Sequence, residues 1–339
     1  MLHYISDFKD GDHPLVLHMI PPLKGCSMSL PVILQQMGVI FILVAIGFYL
    51  YKRGIIDSVS SKKLSTIVVD VCNPAMIMAS ILSGNITATH KDLIIAAALG
   101  ASFYAFLVLL GFIIPHLLKV KPDKRKFYNL MTVYTNTGFL GIPVAKAILP
   151  PNAVIYVIVI NIFYSLLFYT HGLMILGKGK DSDGRKKPPI LNVFNIGTVM
   201  AIFSLFVFWF NLKLPPILAN TVEYIGNATV FLSMALLGVF VARSNFLNSI
   251  KDFRIWIYIV IRMLIIPVAI VFIMKALGFD KTAILAMCLM GTVPVGNLPM
   301  IQAEKIGEDT SILSSGIAVT TVVSGFTITL LISLFTAIL

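Results

Sequence analysis

The sequence predicts an all-α polytopic membrane protein with ten transmembrane helices. Hydrophobic residues make up 58% of the 339 positions, and charged residues make up only 12%. A water-soluble chain of this length needs far more charge on its surface. Several apolar runs are long enough to cross the roughly 30 Å hydrocarbon layer of a bilayer. The runs are continuous Leu, Ile, Val and Phe rather than the short alternations of a barrel strand, so we predict helices.

Ten predicted spans account for nearly the whole chain, and no soluble domain remains between them. The longest polar linker, GKGKDSDGRKKPP, separates five spans from five. We predict an N-terminal extension at residues 1–30, a first five-helix repeat at 31–177, a linker at 178–189 and a second five-helix repeat at 190–339. The predicted spans cover residues 32–51, 64–83, 93–118, 127–149, 152–177, 190–211, 217–241, 255–275, 281–303 and 309–338.

The distribution of Lys and Arg predicts how the chain lies in the cell membrane. Loops that follow the odd-numbered spans hold 18 of these residues, and the opposite side holds 7. We therefore expect both termini outside the cell, with the basic loops and the central linker in the cytoplasm. A basic inner face against anionic lipid also explains the net charge of +11, so we expect no nucleic-acid partner.

The first thirty residues have no basic start, no adequate apolar core and no small-residue cleavage site, so they make a poor signal peptide. The stretch MSLPVILQQMGVIFIL is an ordinary start for a membrane protein, which leaves Met1 and Met28 both open as initiators. The three cysteines, Cys26, Cys72 and Cys288, have no metal-ligand spacing, and we expect no metal site.

Two predicted spans contain helix-breaking residues at mid-depth. Span 4 contains TNTGFLGIPVAKAI, and span 9 contains GTVPVGNLPMIQAEK. Each backbone group that a break releases costs several kcal/mol in lipid. Such breaks are therefore tolerated only where the released groups face protein, water or a ligand. The alternative for each span is a simple proline kink.

The two broken spans occupy matching positions in the two halves. An offset of 158 residues pairs Gly138 with Gly296, and an offset of 157 places Asp70 of span 2 opposite Asn227 of span 7. Because each half has an odd number of spans, the second half must insert in the opposite orientation. We therefore predict a 5+5 inverted repeat, with broken helices 4 and 9 forming a transport site near the midplane.

The predicted site combines helix N-termini with neutral amides. Backbone N–H groups and the positive dipole ends of two half-helices favour an anion, most simply a carboxylate. Asn136 and Asn297 can donate hydrogen bonds to it without a fixed charge, although either can instead cap loose backbone. The predicted substrate-binding residues are Asn136, Thr137, Gly138, Asn161, Gly296 and Asn297, and the predicted crossover or hinge residues are Gly141, Pro143, Pro294 and Pro299.

Charged residues inside predicted spans are candidates for coupling to an ion. Asp70 lies in VVDVCNPAM, where it can carry a proton or seat a cation with Asn73 and Asn227. The alternative is a structural ion pair between Asp70 and either Arg262 or Lys146. Arg262 itself is about two turns into span 8, and we predict that its side chain snorkels to the cytoplasm.

Motifs of catalysis and of nucleotide binding are not found in the sequence. We see no Ser/His/Asp or Cys/His set, HExxH, P-loop or paired-carboxylate pattern. We expect neither enzymatic activity nor a cofactor. Active transport would then depend on an ion gradient or on the gradient of the substrate.

The span-4 motif NTGFLGIPVAKAI resembles the fourth-helix motif of the auxin efflux carrier family, in its bacterial form. Looser matches are VPVGNLPMIQAEKIGEDTSILSSGIAVTT, VVDVCNPAMIMASIL and VEYIGNATVFLSMALLGV. The resemblance implies a ten-helix inverted repeat whose helices 4 and 9 cross at prolines, similar to sodium/proton antiporters and bile-acid symporters. It also implies the carriage of organic anions by elevator-type alternating access.

The resemblance assigns roles to particular residues. Asn136 matches the asparagine before the crossover, and Pro143 and Pro299 match crossover-region prolines. Asn161 falls near a fifth-helix polar position associated with the substrate carboxylate. The chain departs from the family pattern at Asp70, where bacterial relatives usually have Asn.

We therefore expect a secondary transporter of small organic anions, such as mono- or dicarboxylates or auxin-like acids. One alternative is a cation-coupled symporter or antiporter in which Asp70 is the ion or proton site. Another is a membrane receptor that senses a ligand without moving it. The expected partners are an organic carboxylate, a proton or sodium ion, membrane lipid and a second copy of the chain in a homodimer.

Overall fold

A computed structural model describes residues 30–82, 88–177, 196–244 and 250–339 of the chain. These residues are almost entirely helical, with one isolated β-bridge among them. The predicted N-terminal extension up to residue 29, both candidate initiators, Cys26 and the predicted linker at 178–189 lie outside the described residues.

The described residues form helical segments that we number in chain order. They are α1 Leu30–Lys52, α2 Ser58–Leu82, α3 His90–Leu117, α4 Arg125–Val133, α5 Thr137–Ile148, α6 Ala153–Ile175, α7 Ile196–Trp209, α8 Pro216–Arg243, α9 Phe253–Ala276, α10 Lys281–Thr292, α11 Leu298–Lys305 and α12 Ser311–Ile338. Seven of them, α1, α2, α3, α6, α8, α9 and α12, are long and apolar enough to cross a membrane. The chain is therefore a multi-pass membrane protein.

Each predicted span coincides with one of these helices or with an interrupted pair. Predicted span 4 corresponds to α4 and α5, and predicted span 9 corresponds to α10 and α11. The prediction of an all-α polytopic membrane protein is confirmed. The exact ten-helix 5+5 inverted repeat stays a prediction, because α7 and the two interrupted pairs are shorter than a full crossing helix.

Wide π-helical turns come before three prolines inside these helices. The turns are Val68–Cys72, Thr137–Gly141 and Val260–Ile265, and they are followed two residues later by Pro74, Pro143 and Pro267. A proline has no N–H and its ring clashes with the carbonyl four residues earlier, so the normal helical ladder cannot continue. The residue before each proline instead donates its N–H to a carbonyl five residues back.

The helices pack into two groups. The first contains α1, α2, α7 and α8, the second contains α3, α4, α6, α9 and α10, and α12 packs against helices of both groups. Within the first group, Gly47 of α1 and Gly238 of α8 let the two backbones touch, because a Cβ at either position would collide with the other helix. Each group contains predicted spans from both halves of the chain.

The interruptions between α4 and α5 and between α10 and α11 cross each other inside the second group. Thr135 and Val295 form an antiparallel bridge there. The N–H of Asn136 donates to the carbonyl of Pro294 at 2.8 Å. The predicted breaks in spans 4 and 9 are both present, and each non-helical segment supplies hydrogen-bond partners for the other.

Two further contacts hold this crossover together. The N–H of Gly296 donates to the carbonyl of Tyr134 at 2.9 Å. The N–H of Val295 donates to the hydroxyl of Thr320 on α12 at 3.0 Å. A Cβ added to Gly296 would lie 2.9 Å from two backbone carbonyl oxygens of the crossing segment, so the close approach requires glycine.

We predict that Gly296→Ala destabilises the protein by about 1–3 kcal/mol, the usual cost of overpacking a site that cannot relax. The measurement is the melting temperature of the detergent-purified protein. Gly38→Ala on α1 is the control, because a Cβ there meets nothing within 4 Å. Equal melting temperatures for the two variants would contradict the tight crossing.

Candidate functional site

A cavity of about 70 Å³ lies against the crossover. Its lining includes five of the six predicted binding residues, namely Asn136, Thr137, Gly138, Asn161 and Asn297. The sixth, Gly296, lies behind them in the crossing segment. No Asp, Glu, Lys, Arg or His is among the described residues that line this cavity. Its polar groups are therefore amides, hydroxyls and backbone.

Asn136 has one end of its amide paired and the other end free. Its Oδ1 accepts a hydrogen bond from the N–H of Phe139 at 3.2 Å and so caps the start of α5. Its Nδ2 is buried and has no hydrogen-bond partner in the described part of the chain. The cap that we considered as an alternative is present, and it leaves the donor end of the side chain available to a ligand.

Asn297 occupies the corresponding position before α11 but does not cap that helix. Its side chain is 1% exposed, and within the described residues neither Nδ2 nor Oδ1 has a hydrogen-bond partner. A buried polar group without a partner costs about 1–3 kcal/mol. This cost is removed when a ligand or water in the cavity bonds to the amide.

The wall opposite these asparagines is also polar. Thr137 donates a hydrogen bond from its hydroxyl to Oδ1 of Asn161 at 2.8 Å. Gly138 lies between two amides, since a Cβ there would be 3.4 Å from both Asn161 Oδ1 and Asn73 Nδ2. Oδ1 of Asn73 is buried and has no partner among the described residues. Helices α2 and α6 and the crossover thus place amide side chains around one small space, and those of Asn73, Asn136 and Asn297 are incompletely paired among the described residues.

The backbone adds positive potential to this space. The first residues of α5 and the first residue of α11 line the cavity. The first N–H groups of a helix have no partner inside that helix, and its N-terminus is equivalent to about +0.5 charge. The cavity therefore favours an anion although its lining side chains are uncharged.

The predicted hinge residues lie around the crossover. Gly141 ends the π turn of α5, where a Cβ would come 2.9 Å from Cε of Met290 on α10. Pro143 follows inside α5, Pro294 supplies a carbonyl to the crossing, and Pro299 is in the first turn of α11. Proline fits the first turn of α11 because the first N–H groups of a helix have no intrahelical acceptor, and the π turn accommodates Pro143 inside α5.

A second cavity of about 250 Å³ adjoins the first. The two share the lining residues Val69, Tyr169 and Leu298. The second cavity reaches the ends of α2 and α8, where Lys62 and Arg243 line it. The larger cavity therefore lies between the smaller cavity and the basic ends of α2 and α8.

The candidate coupling residues do not line one common cavity. Asn73 lines the smaller cavity, and Asp70 lines the larger one. Asp70 has no ion-pair partner among the described residues, so it does not pair with Arg262 or Lys146. Asn227 is exposed on α8 and lines neither cavity, so Asp70 and Asn227 are not brought together.

The prediction that Arg262 snorkels to the cytoplasm is wrong. Its side chain is 1% exposed and points to the crossover. Nε donates to the carbonyl of Thr132 at 3.0 Å, and Nη1 donates to the carbonyl of Gly291 at 2.6 Å. These carbonyls belong to the last turns of α4 and α10, where no intrahelical donor remains. The carbonyl groups at the ends of α4 and α10 thus hold the guanidinium of Arg262 inside the protein. The position of Arg262 along its own span does not indicate these partners.

Comparison with known proteins agrees with this architecture. Residues 32–332 match the family model described as membrane transport protein. The chain belongs to this family. The expected resemblance to the auxin efflux carriers is confirmed, since they are the same family.

Two archaeal relatives are similar over most of their length. An uncharacterized transporter of Methanocaldococcus jannaschii is 26% identical over 307 residues, which cover 84% of this chain and 93% of the relative. An uncharacterized transporter of Methanothermobacter thermautotrophicus is 22% identical over 291 residues, which cover 84% of this chain and 92% of the relative. Both names describe transport and specify no substrate.

Replacing Asn136 or Asn297 by alanine should have different effects on the stability of the ligand-free protein. We predict that Asn136→Ala lowers stability by about 0.5–2 kcal/mol, the cost of losing a helix N-cap. Asn297→Ala should leave stability unchanged or raise it, because the variant removes a buried amide that has no partner. Melting temperatures of the two ligand-free variants test this difference. An equal loss in both would show that Asn297 has a structural partner.

Proposed function

We propose that this protein is a secondary transporter of small organic anions, and that the crossover cavity holds the carboxylate of the substrate. One observation supports this most strongly: the buried Nδ2 of Asn136 and the whole side-chain amide of Asn297 lack partners among the described residues, and both asparagines line a cavity between two helix N-termini. Amide donors and backbone N–H groups match the acceptor oxygens of a carboxylate. A transporter of this family needs such a site in its interior.

No cationic side chain is among the described residues that line the cavity, and this suits a carrier. A buried guanidinium in direct contact with a carboxylate forms a strong bidentate pair that releases its ligand slowly. Amides and dipole ends supply weaker, adjustable attraction. The substrate can therefore bind at the midplane and still leave on the other side.

The proposed movement is elevator-type alternating access. The crossover belongs to the second helix group, while Asn73 and Val69 of the first group complete the cavity wall. Sliding one group past the other would move the substrate across the barrier. The Arg243–Glu304 ion pair, at 3.1 Å, joins α8 to α11 between the groups and would have to break during that movement.

The positive-inside rule gives the proposed orientation. With the basic loops in the cytoplasm and both termini outside, the larger cavity opens to the cytoplasm. The described conformation is then the inward-facing one. A homodimer in the membrane is compatible with this orientation and is part of the proposal.

The experiment is counterflow in proteoliposomes with a panel of labelled mono- and dicarboxylates. We predict exchange by the unaltered protein, and a loss of about 1–3 kcal/mol of binding free energy in Asn297→Ala because one buried donor is removed. Asn227→Ala is the matched control, since that asparagine lines neither cavity.

Two outcomes would count against this proposal. Unchanged substrate affinity in Asn297→Ala would show that the carboxylate does not bind at the crossover. Tight binding without exchange would favour the receptor alternative over transport.

A proton-coupled version is the second candidate, because Asp70 lies unpaired in the cavity that adjoins the proposed substrate site. We predict that Asp70→Asn flattens the dependence of uptake on pH, since the variant cannot exchange a proton. Asp123→Asn, at an exposed loop position, is the control.

Uptake should be compared with an imposed pH gradient and with an imposed sodium gradient. A pH profile that is unaltered in Asp70→Asn would give Asp70 a structural role. Stimulation by sodium alone would favour the cation-coupled alternative.

A further inference from the structure

The positive charge of Arg262 is buried and only partly compensated. It is buried in the interior of a membrane protein, and in the described part of the chain it has no carboxylate partner. Its third nitrogen, Nη2, has no hydrogen-bond partner either. A buried charge in this environment is costly and normally needs compensation.

Two hydrogen bonds to helix C-termini partly compensate the positive charge of Arg262. Thr132 and Gly291 are the penultimate residues of α4 and α10, so each accepts a guanidinium hydrogen bond at the same place in its helix. The C-terminus of a helix is equivalent to about −0.5 charge. One guanidinium therefore neutralises two helix C-termini that meet at the crossover.

Four helix ends meet in this region. The C-termini of α4 and α10 are negative, and the N-termini of α5 and α11 are positive, so the four dipole ends cancel. Arg262 adds one full positive charge to this balanced set. The described residues lining the crossover cavity contain no acidic side chain to offset it.

We infer that Arg262 sets the charge preference of the crossover site. By neutralising the C-termini of α4 and α10, it leaves the positive N-termini of α5 and α11 to be balanced by one bound monoanion. This inference rests on the proposed function and narrows its substrate class to monocarboxylates. Arg262 does not line the cavity, so it does not touch the substrate. It acts as a positioning residue, through its effect on the electrostatic potential at the site.

The buried Nδ2 of Asn136 and the buried amide of Asn297, which have no partner among the described residues, mark where that anion would bind. They lie at the starts of α5 and α11, on the positive side of the crossing, while Arg262 bonds to the ends of α4 and α10. The aromatic rings of Phe139, Tyr164 and Tyr169 also line the cavity. An aromatic monocarboxylate is therefore a suitable probe.

A purely structural role for Arg262 makes a different prediction. A neutral donor such as glutamine can bond to the same carbonyls, so a cap alone needs no charge. The test therefore compares Arg262→Gln, which can keep a donor but loses the charge, with Arg262→Lys, which keeps the charge. Arg254→Gln, at an exposed position near the start of the same helix, controls for the loss of a basic residue.

The probes are phenylacetate, phenylacetamide and phenylmalonate, which carry one, no and two negative charges near neutral pH. Dissociation constants are measured by calorimetry on the full-length protein in detergent. We expect the unaltered protein to bind phenylacetate more tightly than the other two. In Arg262→Gln the preference for phenylacetate over phenylacetamide should fall about tenfold or more, as expected for losing one charge near a low-dielectric site. Arg262→Lys and Arg254→Gln should keep the preference.

Misfolding of the binding site would weaken the acid and the amide together, so their ratio separates charge from structural damage. An unchanged ratio in folded Arg262→Gln would overturn the inference. If that variant does not fold, binding to the unaltered protein still tests the inference. Equal dissociation constants for phenylmalonate and phenylacetate would overturn the claim that the site is balanced by one negative charge. If the unaltered protein binds none of the acids in the wider carboxylate panel, the proposed function fails and the inference fails with it.

Discussion

Backbone groups in a bilayer must find partners inside the protein, and this constraint governs the centre of the molecule. Two helices are interrupted at the same place, which would leave several N–H and C=O groups unpaired in lipid. The crossing segments remove most of this cost by bonding to each other, as Asn136 does to Pro294 and Gly296 does to Tyr134. Thr320 bonds to one more N–H from the neighbouring helix α12. The interruption is therefore stabilised by hydrogen bonds within the crossing and from α12.

The groups that remain unpaired give the site its chemistry. The N-termini of two half-helices and the amides of Asn136 and Asn297 face a small cavity, and the opposite helix ends are capped by Arg262. Negative and positive ends of the interrupted helices are thus treated differently. The side chain of Arg262 satisfies both negative ends. At the positive ends Asn136 caps α5, while its Nδ2 and the amide of Asn297 have no partner among the described residues. This asymmetry is what the proposed binding and release of an anion would use.

Much of this architecture can be predicted from the sequence. The clusters of Gly, Pro and Asn in spans 4 and 9 are enough to predict two helix breaks, because such residues in lipid require a compensating partner. The same clusters support the family assignment. The partners themselves depend on tertiary packing. The sequence does not distinguish Asn136, which caps a helix, from Asn297, which does not, since both precede a short helix. The depth of Arg262 in its span suggests snorkelling, yet the carbonyl ends of α4 and α10, distant in the chain, hold it inside. The offset that pairs Asp70 with Asn227 likewise says nothing about which faces of α2 and α8 meet.

The position of a bound carboxylate is the most direct test of a crossover that holds an anion. Bromine-labelled phenylacetate can be soaked into crystals of the protein, and anomalous scattering then locates the bromine while the density shows the carboxylate. The expected result is a carboxylate within about 3 Å of the side-chain nitrogens of Asn136 and Asn297, the normal range of such hydrogen bonds. A carboxylate bound instead beside Lys62 or Arg243 in the larger cavity, with the crossover cavity holding only water, would contradict it.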